Sequence, residues 1–195
     1  MSSSDVITLH LDARGDWLLE AERSPSPNCD ERTPAGEIAL VVVHGISLPP
    51  GEFGGPWITD LFLNRLDPAA HPYFREIEAL RVSAHVVIRR DGQLLQFVPF
   101  SKRAWHAGQS CFRGRSGCND FSIGIELEGS DDLPYSEAQY RVLAAVIAAL
   151  RQRYPAIDAD AVTGHADIAP GRKTDPGPAF EWAKLASLLA QTGVS

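Results

Sequence analysis

Cysteine is scarce. Only Cys29, Cys111 and Cys118 occur in 195 residues. An odd, sparse set does not build a disulfide framework, and no second thiol pair completes a zinc-finger spacing around Cys111 and Cys118. Reduced thiols in a reducing compartment are expected. Long apolar runs are also lacking. The longest, Val142 to Leu150, has nine residues, against about 20 for a membrane-spanning helix. The N-terminal stretch carries Asp5, Asp12, Asp16, Glu20 and Glu22, so it lacks the basic start and the apolar segment of about 7–15 residues that define a signal peptide. A cytoplasmic protein without a membrane partner is the expectation. Basic charge is in deficit, with 18 Lys and Arg against 25 Asp and Glu and a net charge of −7. Broad binding to a phosphate backbone needs the opposite balance, so nucleic acid is not an expected partner.

What is present suits a globular domain. Hydrophobic residues make up 44% and charged residues 22%, ordinary values for a soluble core-forming chain. The length predicts one domain. Residues 38–43 are apolar at every position and rich in Val, which predicts a strand buried on both faces and ending at His44. A short strand is expected near Trp17-Leu18-Leu19. Asp91-Gly92 between the apolar runs 84–90 and 93–98 predicts a hairpin. Residues 122–128 alternate, placing Gly124, Glu126 and Glu128 on one face and Ile123, Ile125 and Leu127 on the other. Helices are expected over 57–66, 72–80, 136–154 (with Ser136 as its cap and Pro155 as its stop) and 179–189. Strands early and a long helix late predict an α/β (mixed α+β) single domain, a central mixed β-sheet flanked by helices. The expected division is an N-terminal extension with a first strand (1–24), a main domain (25–189) and a C-terminal tail (190–195).

Reactive side chains gather in three places: His44 at a strand end, Thr163-Gly164-His165-Ala166-Asp167-Ile168-Ala169-Pro170, and Arg172-Lys173-Thr174-Asp175-Pro176-Gly177-Pro178. Gly and Pro make the last two read as loops. Two imidazoles and a carboxylate form a common catalytic zinc set with an open fourth position. His44, His165 and Asp175 are the candidate ligands. Taken singly they are unremarkable. A strand-end His is more often structural, Asp175 could cap a turn before Pro176, and His-x9-Asp is not a metal spacing in itself. Glu128 reads as a solvated strand carboxylate and His85 as a structural or outer-sphere residue.

Several stretches resemble the zinc-dependent N-acetylmuramoyl-L-alanine amidase family, most closely its cytoplasmic anhydro-muropeptide type. They are Pro25-Ser26-Pro27-Asn28, VVHGISLPPGEFGGPWI (42–58), LRVSAH (80–85), RRDG (89–92), KRAWHAG (102–108), CNDFSIGIELEG (118–129) and TGHADIAPGRKTDPGPAFEW (163–182). The resemblance implies the fold of the peptidoglycan-recognition proteins. It implies one Zn²⁺ per chain on His44, His165 and Asp175, with Glu126 and Lys173 as catalytic groups. Glu126 would move a proton and Lys173 would donate to an oxyanion. It places His106 near the substrate, a small muropeptide. Arg81 suits a stem-peptide carboxylate, and Trp105 a sugar or pocket wall. A monomer is expected. Two positions depart from the family pattern: Gly45 stands where Asn is usual and Gly117 where a basic residue is usual. A lost polar substrate contact is expected at 45, and Arg115 is expected to substitute at 117. Two other readings remain, an exported amidase acting on intact wall and a non-catalytic recognition module. The second would lose its metal ligands.

Overall fold

The computed structural model describes residues 7–33 and 37–193. The first residues of the expected N-terminal extension (1–6), part of the loop before the first long strand (34–36) and the end of the expected tail (194–195) lie outside the described residues. The strands are β1 (Glu22–Arg23), β2 (Cys29–Glu31), β3 (Leu40–Ile46), β4 (Val86–Ile88), β5 (Leu94–Gln96), β6 (Lys102–Ala104), β7 (Cys111–Phe112), β8 (Arg115–Ser116), β9 (Ser122–Glu128) and β10 (Val162–Gly164). The helices are α1 (Trp57–Phe62), α2 (Phe74–Ile77), α3 (Glu137–Arg153), α4 (His165–Ile168) and α5 (Trp182–Gln191).

The main sheet has the order β1-β5-β4-β9-β3-β10. β4, β9, β3 and β10 run parallel, and β5 is antiparallel to β4. This is the mixed sheet expected from the sequence. One face is closed by α3 and α5: Leu143, Val146, Ile147, Leu150 and Leu185 pack on Val41, Val43, Ile123, Ile125 and Leu127. Burial of each large aliphatic side chain there contributes about 1.5–3 kcal/mol, so the helix face and the strand alternation stabilise each other. The opposite face is covered only in part, by a cluster around α1 and α2 and a smaller one containing Leu40, Val42, Ala107, Phe121 and Ile168. The uncovered part holds the polar residues of β3 and β9.

The start of α3 is fixed by a capping box. Ser136 Oγ accepts from the Gln139 amide at 3.1 Å, and Gln139 Oε1 accepts from the Ser136 amide at 3.0 Å. Such a cap satisfies otherwise orphaned backbone donors. Gln139 Nε2, fully buried, then donates to the carbonyls of Ile88 and Glu128, which ties the helix to β4 and β9. The β4–β5 turn puts Gly92 at φ +91°, a left-handed conformation that favours glycine.

Several expected boundaries shift. The strand expected near residues 17–19 reduces to a single Leu11–Leu18 bridge. Asp12 Oδ1 accepts from the Asp16 amide and bends the chain there, while the Leu18 amide bonds to the Gln96 side chain instead of to a strand. Leu18 itself is fully buried in the main core. β3 does not stop at His44 but continues to Ile46, because β9 pairs with it as far as Ile46–Glu128. Most of the loop read over 163–170 is instead β10 followed by α4. Pairing of Thr163 and Gly164 with Val42 and Val43 makes the strand. Asp167 Oδ2 accepts from Thr163 Oγ1 and the Gly164 amide, which turns the chain into the helix. The helix expected over 57–66 stops at Phe62, with Asn64 at φ +57° just beyond it. That expected over 72–80 is one turn at Phe74–Ile77. α5 begins only at Trp182, where Tyr140 Oη accepts from the Glu181 amide, and runs to Gln191, into the expected tail.

Candidate active site

His44 and Glu126 are opposite one another in the β3–β9 ladder. Neighbouring strands lie about 4.8 Å apart, so both side chains project from the same uncovered face. β10 pairs with β3 on its other side and delivers His165 as the first residue of α4. Asp175 is brought back by its own backbone, whose carbonyl accepts from the Ala166 amide at 2.9 Å. The site thus lies toward the carboxyl ends of parallel strands, where open α/β sheets commonly place ligands.

Three atoms converge. His44 Nδ1 is 3.0 Å from His165 Nδ1, and Asp175 Oδ2 is 3.1 Å from each. Both imidazoles are buried. His165 Nε2 donates to the Ala107 carbonyl at 3.1 Å, which leaves its Nδ1 with a free lone pair. Burial pushes the His44 imidazole down to about 4, although the neighbouring Asp175 carboxylate opposes this. Burial disfavours an ionised Asp175, but the closeness of His165 and His44 outweighs it and holds the carboxyl well below the usual carboxylate range. Two imidazole nitrogens and a carboxylate oxygen face a common point. Among the described residues they form the one group of three with metal-ligand spacing.

Glu126 carries a buried Oε2 with no hydrogen-bond partner among the described residues. Burial raises its proton affinity well above the usual range, the nearby Asp175 charge raises it further, and Lys173 offsets part of this. A cleft of about 650 Å³ is lined by the triad together with Trp105, Glu126 and Lys173. Arg81 is the one predicted site residue that does not line it. That side chain is exposed and folds onto the carbonyls of Glu78 and Leu80, although its neighbours Leu80 and Val82 are on the cleft wall.

Other expectations change. Glu128 is not a solvated carboxylate. It is 2% exposed and bonded to Arg89 Nη1 at 3.0 Å, the Gly54 amide at 2.7 Å and the Arg90 amide at 3.2 Å. It holds the loop after β3 against the sheet. Gly45 lines the cleft beside His44. A Cβ there would collide with the Tyr135 hydroxyl, which donates to the Pro176 carbonyl at 2.9 Å. Gly117 is at φ +74°, a backbone conformation that disfavours most side chains. Arg115 stacks its guanidinium 4.0 Å from the centre of the Phe121 ring. His85 is buried, accepting from the Gly124 amide at Nδ1 and donating to the Lys102 carbonyl at Nε2. His106 lines the cleft but packs behind His44, its Nδ1 2.9 Å from His44 Nε2. No spacing along the chain signals that pairing, since 62 residues separate the two. Its only local sign is the Trp-His-Ala-Gly stretch.

Buried imidazoles and a carboxylate meeting at one point, with a glutamate and a lysine on the same cleft, define a candidate metallohydrolase. The sequence pattern of N-acetylmuramoyl-L-alanine amidases matches residues 34–178. The 1,6-anhydro-N-acetylmuramyl-L-alanine amidase AmpD of Salmonella typhimurium (strain SL1344) is 63% identical over 174 residues, 89% of this chain and 92% of that protein. The crystal structure of a Se-Met AmpD derivative superposes with a TM-score of 0.86 at 63% identity, covering 89% of this chain and 96% of that one. The Escherichia coli amidase AmiD, solved with anhydro-N-acetylmuramic acid-L-Ala-D-γ-Glu-L-Lys, gives a TM-score of 0.57 at 30% identity, over 85% of this chain and 62% of its own. The chain belongs to the N-acetylmuramoyl-L-alanine amidase family.

Proposed function

We propose that the protein hydrolyses the amide joining the D-lactyl group of 1,6-anhydro-N-acetylmuramic acid to L-alanine in muropeptides, as a monomeric cytoplasmic enzyme of peptidoglycan recycling. The observation that carries the reading is the donor triangle facing Glu126 across two adjacent strands. Its edges of 3.0–3.1 Å suit one face of a zinc tetrahedron, whose edge is about 3.3 Å for ligands at about 2.0 Å. Two imidazole nitrogens and one carboxylate also match the donor chemistry of catalytic zinc. We therefore assign one Zn²⁺ to His44, His165 and Asp175. When bound, zinc polarises a carbonyl and lowers the pKa of a coordinated water.

The protein groups do the rest. Glu126 takes a proton from the attacking water as its oxygen bonds to the amide carbon, then delivers it to the alanine nitrogen as the C–N bond breaks. A carboxyl with raised proton affinity and an unpartnered oxygen suits a group that must accept a proton and return it. Lys173 donates to the oxyanion that develops on the carbonyl oxygen. Trp105, on the cleft wall, offers a flat apolar surface to the sugar. Arg81 takes a stem-peptide carboxylate at the rim, which requires it to leave the Glu78 and Leu80 carbonyls.

A mass-spectrometric assay on a soluble anhydro-muramoyl tripeptide tests this reading. Free peptide should appear with untreated protein, vanish after chelator stripping and return with zinc. No release by folded, zinc-loaded protein would contradict it. Faster turnover of polymeric sacculi than of the soluble fragment would contradict the recycling role.

A further inference from the structure

His106 has no part in the chemistry above, yet both of its ring nitrogens are engaged. Nδ1 lies 2.9 Å from His44 Nε2, and Nε2 lies 3.1 Å from Ser122 Oγ. Ser122 Oγ in turn lies 2.6 Å from the Cys118 carbonyl oxygen. A carbonyl has no proton to give, so at that distance the Ser122 hydroxyl must donate to it. That uses the only hydroxyl proton, and Ser122 Oγ then accepts from His106 Nε2–H. A neutral imidazole with a proton on Nε2 has a lone pair on Nδ1, which can only accept from His44 Nε2–H. His44 is left with its lone pair on Nδ1, the atom that faces His165 and Asp175. Every link follows from the one before it, starting at a backbone carbonyl.

The fold makes room for this chain. His106 rests on Gly124, where a Cβ would overlap the imidazole ring. Gly124 lies on the same face of β9 as Ser122 and Glu126, so the absent side chain is what lets a ring sit between Ser122 and His44. The backbone amides of His106 and Ala107 are held by Asn119 Oδ1 at 3.2 and 2.8 Å, fixing the segment on which the ring is carried.

We propose that His106 is a positioning residue: with Ser122 and the Cys118 carbonyl it sets the tautomer and ring orientation of His44, so that Nδ1 is presented to the metal. Groups that hold a ligating histidine from behind typically change metal affinity by 10–100-fold. An imidazole acceptor on a hydroxyl relay would do so with no buried charge.

The inference rests on the zinc site assigned above, and zinc affinity measured without substrate separates the two. Chelator-competition titrations would compare the full-length protein with His106→Phe, His106→Asn and Ser122→Ala. Phe removes the acceptor and should weaken zinc binding by about 10–100-fold. Asn places an amide oxygen close to the lost Nδ1 and should recover most of that loss. Ser122→Ala frees the His106 tautomer and should weaken binding less than Phe does. A wild-type protein that does not hold zinc would overturn the zinc assignment itself. Wild-type binding with a Phe variant within about twofold, or an Asn variant no better than a folded Phe variant, would overturn the role of His106 alone. Nitrogen NMR of the zinc-loaded wild type tests the same point without mutation. His106 should show a protonated Nε2 and a bare Nδ1, and the reverse tautomer would contradict the proposal.

Discussion

Glu126 and Glu128 occupy the same face of β9, two residues apart, in opposite surroundings. Glu128 spends both oxygens on Arg89 and the amides of Gly54 and Arg90. Glu126 has a buried oxygen without a partner among the described residues and faces the Asp175 charge. Folding alone gives no reason to leave Glu126 so. Buried polar groups are ordinarily satisfied, and an exception calls for an explanation. At Glu128 the strand builds architecture by pinning the loop that follows His44. At Glu126 it keeps a carboxyl uncommitted beside three potential metal ligands. The same contrast separates the two sides of the sheet, one closed by α3 and α5 and the other holding buried histidines around an open cleft.

The contrast can be broken in graded ways. The largest effect is expected at the metal side: His165→Ala should lose zinc and turnover together, because a three-ligand site loses a ligand. Metal analysis showing full zinc occupancy would remove His165 from the set. Lys173→Met should retain zinc and lose about 10²–10³ in kcat, as for loss of one oxyanion donor. Steady-state kinetics with unchanged kcat would move that role elsewhere.

At the architectural end, Glu128→Gln leaves Arg89 as a largely buried charge without its counter-ion. A loss of roughly 3 kcal/mol is expected, or a fall in Tm of about 6–12 °C for a chain of this size. Calorimetry showing no change would mean that the pair contributes nothing to the fold.

The smallest effect is a pH dependence. In metal-free protein burial raises the proton affinity of folded Glu126 well above the ordinary carboxyl value of 4.5. The folded state therefore keeps a proton that the unfolded chain releases, and stability falls as pH rises from about 4.5 toward the folded value. Glu126→Gln cannot ionise. It should be more stable than wild type at pH 7, with the gap closing as pH falls to about 4.5. Denaturant titrations across that range would show it, and a gap independent of pH would contradict the raised proton affinity.

Local signals made much of this visible in the sequence. The alternation over 122–128 gave β9 its ends and its two faces, and Ser136 with Pro155 bounded α3. The candidate ligand set was legible through family resemblance rather than spacing, since residues 44, 165 and 175 come together only when β10 pairs with β3. The errors share a physical cause. β3 was expected to stop at His44 because its apolar run stops there, yet ladder bonds from β9 carry it to Ile46. Glu128 was misread because its partner Arg89 lies 39 residues away. The place of His106 depends on the missing side chain of Gly124 and on a serine at the start of β9. Tertiary contacts between distant residues decide all of these.

The most direct measurement compares Glu126→Gln and Glu128→Gln side by side, both zinc-loaded, with kcat per folded molecule on the anhydro-muramoyl tripeptide. We expect Glu126→Gln to keep zinc and lose about 10²–10⁴ in kcat, and Glu128→Gln to turn over within about threefold of wild type despite its lower stability. Near-normal turnover in Glu126→Gln, or a comparable loss in folded Glu128→Gln, would contradict the division of labour along β9.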